Sequence, residues 1–209
     1  DFVEKGFDLA FKYRIPTMIL SDGVIGQMME KVELGEMKPR WTEAQIREKC
    51  PWAVCGKSAD RKRNVITSLA LDAHVQEAHN IKLQAKYKEI IENEQQWSTY
   101  RTEDAEYLLV GYGSMSRIGE AVVDAAREEG YKVGIVRPIT LFPFPEKPIK
   151  ELLPQLKGIL TIEMSAGQMV EDVKLTANGA VPVHFYGRTG GIIPAPEEIM
   201  DALVKIIKG

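Results

Sequence analysis

Cysteine is scarce in this chain of 209 residues, which contains two cysteines, Cys50 and Cys55. A structural zinc site needs four ligands, and no histidine lies close to this pair in the sequence. The sequence therefore predicts two ordinary reduced thiols, with a redox or ligand role as the alternative.

Long apolar runs and an excess of one charge are also lacking. No stretch approaches the roughly 18 consecutive apolar residues of a membrane-spanning helix, and the start lacks the basic-then-apolar order of a signal peptide. A net charge of -3 provides no basic surface for nucleic acid or an anionic membrane. We therefore expect a cytoplasmic protein that binds small molecules or other proteins. The 44% of hydrophobic residues is enough to bury a core.

The first residues form an incomplete unit. The chain opens with Asp1 and continues in an amphipathic pattern that predicts a helix from Phe2 to Tyr13. Ile15 to Leu20 is predicted to be a short strand, ended by the turn sequence Ser21-Asp22-Gly23. One helix and one strand cannot bury a core alone. Residues 1–36 are therefore expected to be the end of a larger domain, and the chain a processed or truncated piece of a longer protein.

Residues 37–101 have the composition of a linker. Residues 37–64 are rich in proline, charge and cysteine, which indicates an irregular connector. Residues 65–96 contain no glycine or proline, which predicts one long helix that bridges domains or packs on a partner. His74 and His79 lie on this helix five residues apart, so they do not share a face as metal ligands would.

Residues 102–209 alternate regularly between apolar runs and amphipathic stretches. The predicted strands are Tyr107–Gly111, Lys132–Val136, Gly158–Ile162 and Val181–Tyr186, and the predicted helices are Arg117–Glu129, Pro148–Lys157, Gly167–Ala177 and Pro196–Ile207. Such alternation specifies parallel βαβ units with right-handed crossovers and helices on both faces of the sheet. The fold class is therefore α/β, with an open, mainly parallel sheet.

In such a sheet, ligands and partners usually meet the loops at the carboxyl ends of the strands. The first of these loops, Gly111 to Ser116, offers Ser114 or Ser116 as a helix N-cap, and free backbone N-H groups there could take an anion. A dinucleotide site is not supported, because G-x-G-x-x-G would need glycine at Ser116. The second strand is also followed by Arg137 rather than by an acidic residue. A tight turn with a capped helix is the favoured interpretation.

The second loop, Arg137 to Pro145, is stiff and apolar, with three prolines and the rings of Phe142 and Phe144. Its rings need burial, either at a protein interface or against a neighbouring element. The third loop, Glu163 to Met169, contains Gln168 and one carboxylate. Glu163 could act as a general base or bind a hydroxyl or amine, but capping the next helix is favoured.

The fourth loop, Gly187 to Pro194, contains Arg188, which could pair with a carboxylate or phosphate. A turn with positive φ is favoured there. His184 lies within a strand pattern, and no Ser-His-Asp or Cys-His arrangement emerges. No catalytic, cofactor-binding or metal-binding residue is therefore assigned to this chain.

These loops, taken in order, resemble one family. YGSMSRIGEAVVDAAREEGYKVGIVRPITLFPFP, then EMSAGQMVEDV, then YGRTGG closely resemble the second domain of the α subunit of 2-oxoacid:ferredoxin oxidoreductases. The segment KYRIPTMILSDGVIGQMMEKVE resembles the end of the first, pyrimidine-binding domain of that subunit. The branched-chain type, acting on acids such as 2-oxoisovalerate, looks nearest, with the 2-oxoglutarate type as its competitor.

The resemblance implies a three-layer domain at residues 102–209, similar to the C-terminal domain of transketolases. It implies a cytoplasmic enzyme of anaerobic metabolism that decarboxylates a 2-oxoacid on thiamine diphosphate, reduces ferredoxin through iron-sulfur clusters and forms an acyl-CoA. The implied partners are a β subunit that holds the diphosphate and magnesium, a γ subunit and ferredoxin, in a homo-oligomer of heteromers. The early part of the first domain is missing here, so the resemblance implies a C-terminal fragment that is inactive alone.

The leading hypothesis is accordingly a segment that serves subunit assembly. Its candidate interface or ligand-facing residues are Gly113, Ser114, Ser116, Arg137, Phe142, Phe144, Glu163, Gln168 and Arg188. The alternative is a stand-alone α/β domain that binds a small molecule or anion between Gly113–Ser116 and Arg188. A third hypothesis is a transketolase or dehydrogenase subunit that shares the domain.

Overall fold

The computed structural model describes residues 2–33, 35–37, 39–54, 56–57 and 59–209. Two compact units are present, one formed by residues 1–28 with 84–209 and the other by residues 29–83. Cys55, half of the predicted thiol pair, lies outside the described residues, whereas Cys50 is a buried free cysteine. None of the described helices has the length and apolar character needed to span a membrane. The domain boundaries at residues 36 and 101 remain a prediction.

The larger unit is built on a five-stranded sheet with the order β1-β3-β2-β4-β5. The strands are β1 (Trp97–Tyr100), β2 (Tyr107–Val110), β3 (Val133–Pro138), β4 (Gly158–Glu163) and β5 (Val183–Gly187). Strands β2 to β5 are parallel, as predicted, and β1 runs antiparallel to β3 at one edge. The sequence analysis missed β1, placing its residues in the linker.

Four helices cover this sheet, two on each face. They are α4 (Ser114–Glu128), α5 (Glu146–Leu152), α6 (Met169–Ala177) and α7 (Pro196–Lys208). One apolar core joins alternate strand residues, such as Leu109 and Ile162, to α4 and α7. The other joins the intervening residues, such as Leu108 and Ile159, to α5 and α6. Because side chains alternate across a strand, these two cores confirm the three-layer α/β prediction.

The N-terminal segment belongs to the same unit. Helix α1 spans Phe2–Tyr13, as predicted. The predicted strand at Ile15–Leu20 is wrong, because these residues pair with no strand. Part of the segment lies along the helix instead, with Thr17 and Ile19 beside Gly6 of α1, whereas Met18 and Leu20 are mostly exposed. A single 3-10 turn follows at Ile25–Gln27.

The smaller unit contains helix α2 (Glu43–Lys49) within the connector that was predicted to be irregular. Thr42 and Gln45 form a reciprocal capping box at its start, which accounts for a helix of two turns in this polar segment. The side-chain amide of Asn64 donates to the carbonyl oxygens of Pro51 and Ala53, at 2.8 and 3.0 Å. The connector is therefore locally ordered.

Helix α3 spans Ala73–Asn93 and is shorter than the predicted helix at residues 65–96. Its start is fixed by Asp72, whose Oδ1 accepts the N-H groups of His74 and Val75 at 2.8 and 3.1 Å. An aspartate is a strong N-cap, and the β-branched residues before it do not favour a helix. The Asp72 cap therefore starts the helix at Ala73, later in the chain than the absence of glycine and proline suggested.

Candidate functional site at the carboxyl ends of the strands

The four loops singled out in the sequence lie at one edge of the sheet. Strands β2, β3, β4 and β5 are parallel neighbours, so the loops that follow them leave from the same side. Each predicted candidate residue lies at this edge, at a strand's end, in the following loop or in the first turn of the next helix. Their individual contacts decide what each can do.

The loop after β2 forms the N-terminus of α4. Gly113 is the N-cap, with φ 57° and ψ -133°, a conformation that only glycine adopts readily. The prediction that Ser114 or Ser116 caps the helix is wrong, because Ser114 is already its first residue. The Ser116 hydroxyl is buried and donates to the carbonyl oxygen of Gly113 at 2.8 Å.

Ser114 instead binds a carboxylate from the N-terminal segment. Its hydroxyl donates to Oδ2 of Asp22 at 2.7 Å, and Oδ1 of the same side chain accepts the N-H of Ile25 at 2.8 Å. Burial acts to raise the pKa of Asp22, but hydrogen bonds from Ile25 and Ser114 outweigh it, so the pKa lies below its usual value. The sequence analysis identified Asp22 only as part of a turn.

The loop after β3 packs largely within its own unit. Phe144 is half-buried and joins the core beneath α5 and α6. Phe142 is 63% exposed and makes an edge-to-face contact with Tyr87 of α3, at 6.2 Å between ring centroids. Thr140 ties the loop down, because its hydroxyl accepts the N-H of Gln96 at 3.1 Å and donates to Pro143. Arg137 is half-buried at the end of β3.

Glu163 caps α6 from the end of β4. It is fully buried, and its Oε1 accepts the N-H of Val170 at 2.9 Å. Its Oε2 accepts the N-H groups of Gln168 and Met169, both at 3.1 Å, and the hydroxyl of Ser165 at 2.9 Å. The carboxylate is therefore saturated by donors at a positive helix terminus, which is the capping role favoured from the sequence.

The charge of Glu163 affects two neighbouring groups. Burial and the nearby Glu163 carboxylate raise the pKa of the half-buried Tyr112. Burial and the carboxylates of Glu163, Glu146 and Glu171 raise the pKa of Asp172. Tyr112 lies in the loop after β2, and Asp172 lies on α6. Both shifts oppose ionisation, so both side chains stay protonated to a higher pH than usual.

Arg188, after β5, is bound within its own unit. Its guanidinium forms an ion pair with Glu198 of α7, whose Oε2 also accepts the Tyr186 hydroxyl at 2.7 Å. The hydrogen bond from Tyr186, together with those from Ala195 and Arg188, lowers the pKa of Glu198. Arg188 is therefore already paired with a carboxylate of the same chain.

The arrangement has little chemistry of its own. Within the described ranges, no three histidine, cysteine, aspartate or glutamate side chains are placed to hold a metal ion. Ser114 and Arg188, the two halves of the anticipated anion cradle, are both occupied by protein carboxylates, Asp22 and Glu198. The geometry thus favours a structural role for these loops over the alternative of an anion-binding domain.

Comparison with known proteins gives a consistent relationship. Residues 105–199 match the family described as pyruvate:ferredoxin oxidoreductase core domain II. The chain is 43% identical, over 206 residues, to the ketoisovalerate oxidoreductase subunit VorB of Methanothermobacter marburgensis, covering 99% of this chain and 56% of that protein. It is 29% identical to the 2-oxoglutarate synthase subunit KorA of Methanothermobacter thermautotrophicus, covering 99% of this chain and 60% of that protein. The chain thus spans a little over half the length of these relatives.

Among solved structures, a 2-oxoglutarate:ferredoxin oxidoreductase from Magnetococcus marinus is similar with a TM-score of 0.54 and 16% identity. The similarity covers 66% of this chain and 24% of that chain, and at this identity it supports the fold alone. The relationship therefore rests on the sequences. The chain is homologous, over nearly its whole length, to subunits of 2-oxoacid:ferredoxin oxidoreductases, and residues 105–199 match the core domain II model.

Proposed function

We propose that this chain is part of the α subunit of a thiamine-diphosphate-dependent 2-oxoacid:ferredoxin oxidoreductase. In this proposal the assembled enzyme decarboxylates a 2-oxoacid oxidatively to an acyl-CoA, and the segment serves assembly. A branched-chain substrate such as 2-oxoisovalerate is favoured over 2-oxoglutarate. The support for that choice is the higher identity to the ketoisovalerate relative, 43% against 29%.

One contrast carries the assembly role. At the strand-end edge, the polar groups best suited to chemistry are engaged inside the protein: Glu163 with α6, Arg188 with Glu198. On α1, by contrast, apolar side chains face outward. Val3 and Phe7, four residues apart on one helix face, are 64% and 65% exposed. Exposed apolar rows of this kind mark surfaces that other protein covers.

The cofactors of the proposed enzyme would be held elsewhere in the assembly. Thiamine diphosphate with magnesium supplies the carbanion chemistry, and iron-sulfur clusters carry electrons to ferredoxin. The Ser114 hydroxyl at the α4 N-terminus donates to Asp22, and the chain's two cysteines are too few for a four-cysteine cluster. We therefore propose that a β subunit and a γ subunit provide these groups, in the cytoplasm.

The test is co-purification of the tagged chain with the other oxidoreductase subunits encoded in the same genome. Replacing Val3 and Phe7 together by glutamine is expected to abolish co-purification without changing the circular dichroism spectrum. The control is Lys5→Gln, an exposed position on the same helix, which is expected to behave as wild type. Unchanged co-purification of the double variant would refute the proposed role of this apolar face.

Calorimetry separates the proposal from a stand-alone binder. The isolated chain is expected to bind neither thiamine diphosphate nor coenzyme A, because its anion-binding donors are already occupied. Micromolar binding of either compound by the chain alone would favour the small-molecule-binding domain instead.

A further inference from the structure

Strand β5 lies at one edge of the sheet and pairs with β4 along one side. The N-H of Ile159 donates to the carbonyl oxygen of Pro182 at 3.0 Å, and the N-H of Arg188 donates to that of Glu163 at 3.2 Å. In a parallel ladder, alternate residues of a strand bond to the same neighbour. The even-numbered residues of β5 therefore bond to β4. The backbone groups that point away from the sheet belong to Val183, Phe185 and Gly187.

This outward edge of β5 is open. In the described part of the chain, no backbone or side-chain group bonds to the N-H or C=O groups of these three residues. Phe185 is 41% exposed, and His184 beside it is exposed. The strand sequence, Val-His-Phe-Tyr-Gly, also lacks the lysine, proline or acidic residue that protects many edge strands from pairing. Such an edge can accept a further strand.

Strand β1, at the other edge, is less suited to pairing. It has four residues, and Arg101 follows at once with a φ of 52°, which ends the extended geometry. Arg101 also forms an ion pair with Asp124 at 2.9 Å, so charges lie next to this strand. The longer unprotected edge of the sheet is therefore β5.

The open edge of β5 is complementary to a second copy of itself. When two β5 strands lie antiparallel with Phe185 opposite Phe185, Val183 of each strand lies opposite Gly187 of the other. In an antiparallel sheet, each hydrogen-bonded pair of residues exchanges both of its N-H to C=O bonds. Every outward N-H of one strand then meets an outward C=O of the other. This register leaves no outward backbone group of β5 unpaired.

We propose that β5 is an interface between two copies of this chain, which pair antiparallel about a two-fold axis at Phe185 and join their sheets into one. The two Phe185 rings meet on one face, and His184 lies opposite the second copy's Tyr186 on the other. No like charges meet along the strand. A short strand pair gives a small interface, so association is expected in the micromolar range. Self-pairing of β5 does not depend on the proposed enzymatic activity.

The experiment is sedimentation equilibrium of the chain across the micromolar range. The mass of wild type should rise with concentration towards twice the 23.4 kDa of one chain. Val183→Pro removes one outward N-H and keeps the bonds to β4, and proline is tolerated at such edge positions. Its dimer dissociation constant should be about tenfold higher or more. Val183→Ala is the matched control, because it shortens the side chain but keeps the N-H, and it should dimerise as wild type does.

Charge at the two-fold axis gives a second test, which still decides if Val183→Pro fails to fold. Phe185→Lys and Phe185→Glu each place like charges opposite one another, so each variant alone should be monomeric. An equimolar mixture of the two should form a heterodimer, because opposite charges then meet. A wild type that stays monomeric, or equal dimerisation of all variants, would overturn the proposal. It would also be overturned if wild type is monomeric and Val183→Pro loses co-purification with the other oxidoreductase subunits, since another protein's strand would then cover the edge.

Discussion

Replacement of Glu163 by glutamine tests whether this buried carboxylate is a helix cap. Glutamine has nearly the same shape, so the substitution leaves no cavity. It replaces one acceptor oxygen by an NH2 group, which can only donate. Both carboxylate oxygens of Glu163 face donors, and those from Met169 and Val170 are buried backbone N-H groups at 3.1 and 2.9 Å. Any orientation of the amide therefore places donor against donor at the start of α6.

The magnitude follows from these contacts. Hydrogen bonds to a charged group are worth about 1.5–3 kcal/mol each, and a buried donor left unpaired costs about 1–3 kcal/mol. Loss of one oxygen should therefore lower the free energy of unfolding by about 3 kcal/mol. Glu163→Ala should cost about 4 kcal/mol or more, since it leaves a cavity as well.

The assay is urea unfolding followed by circular dichroism, with hydrogen exchange at Met169 and Val170 as a local measure. Glu171→Gln is the matched control, because Glu171 lies on the same helix but is exposed and pairs with Lys174. That control should change stability by less than about 0.5 kcal/mol. If Glu163→Gln lowers the free energy of unfolding as little as this control, the carboxylate is not the cap described here. The alternative role of Glu163 as a general base would then be favoured.

Three further predictions concern packing and charge. Among the described residues, the hydroxyl of buried Thr161 finds no hydrogen-bond partner. Thr161→Val should therefore raise the free energy of unfolding by about 1 kcal/mol in urea titrations, and a loss of stability would contradict this. A Cβ on Gly134 would lie 2.6 Å from the backbone oxygen of Arg101, whereas one on Gly158 would meet its nearest atom at 3.6 Å. Gly134→Ala should therefore destabilise the protein by about 2–3 kcal/mol and Gly158→Ala by under about 1 kcal/mol. Equal effects of the two substitutions in thermal unfolding would refute this. Although burial acts to raise the pKa of Glu94, the hydrogen bond from Lys12 lowers it below the ordinary 4.5. Ionised Glu94 should therefore stabilise the fold above that pH, and this stabilisation should be lost as the pH falls through the lowered pKa. The free energies of unfolding of wild type and Glu94→Gln should accordingly converge in acid.

Much of the fold could be predicted because its signals are local. The apolar runs of β2 and β4 are buried, and the amphipathic pattern of α7 begins with Pro196, a favoured first helical residue. Strand β1 could not be found in this way. Its four residues, Trp-Ser-Thr-Tyr, are mostly exposed and show no apolar alternation, so only their pairing with β3 makes them a strand.

The contacts of the candidate site were likewise predictable only where the sequence signal is local. The capping role of Glu163 could be anticipated, since a glutamate between a strand and the next helix can reach that helix within a few residues. The contact between Asp22 and Ser114 could not, because 92 residues separate them and neither position carries a local signal for the other. The strand wrongly predicted at Ile15–Leu20 failed for a related reason. Apolar content alone does not distinguish a strand paired in a sheet from an extended segment without a partner strand.

The most direct test of the central claim is the activity of the chain alone and in its assembly. The tagged chain, purified alone and after co-expression with the other oxidoreductase subunits of its genome, is assayed for thiamine diphosphate binding and 2-oxoisovalerate-dependent acyl-CoA formation. We predict that the isolated chain binds no thiamine diphosphate and forms no acyl-CoA, and that it co-purifies with the other subunits. Turnover by the chain alone, or its failure to join them, would contradict the assembly role.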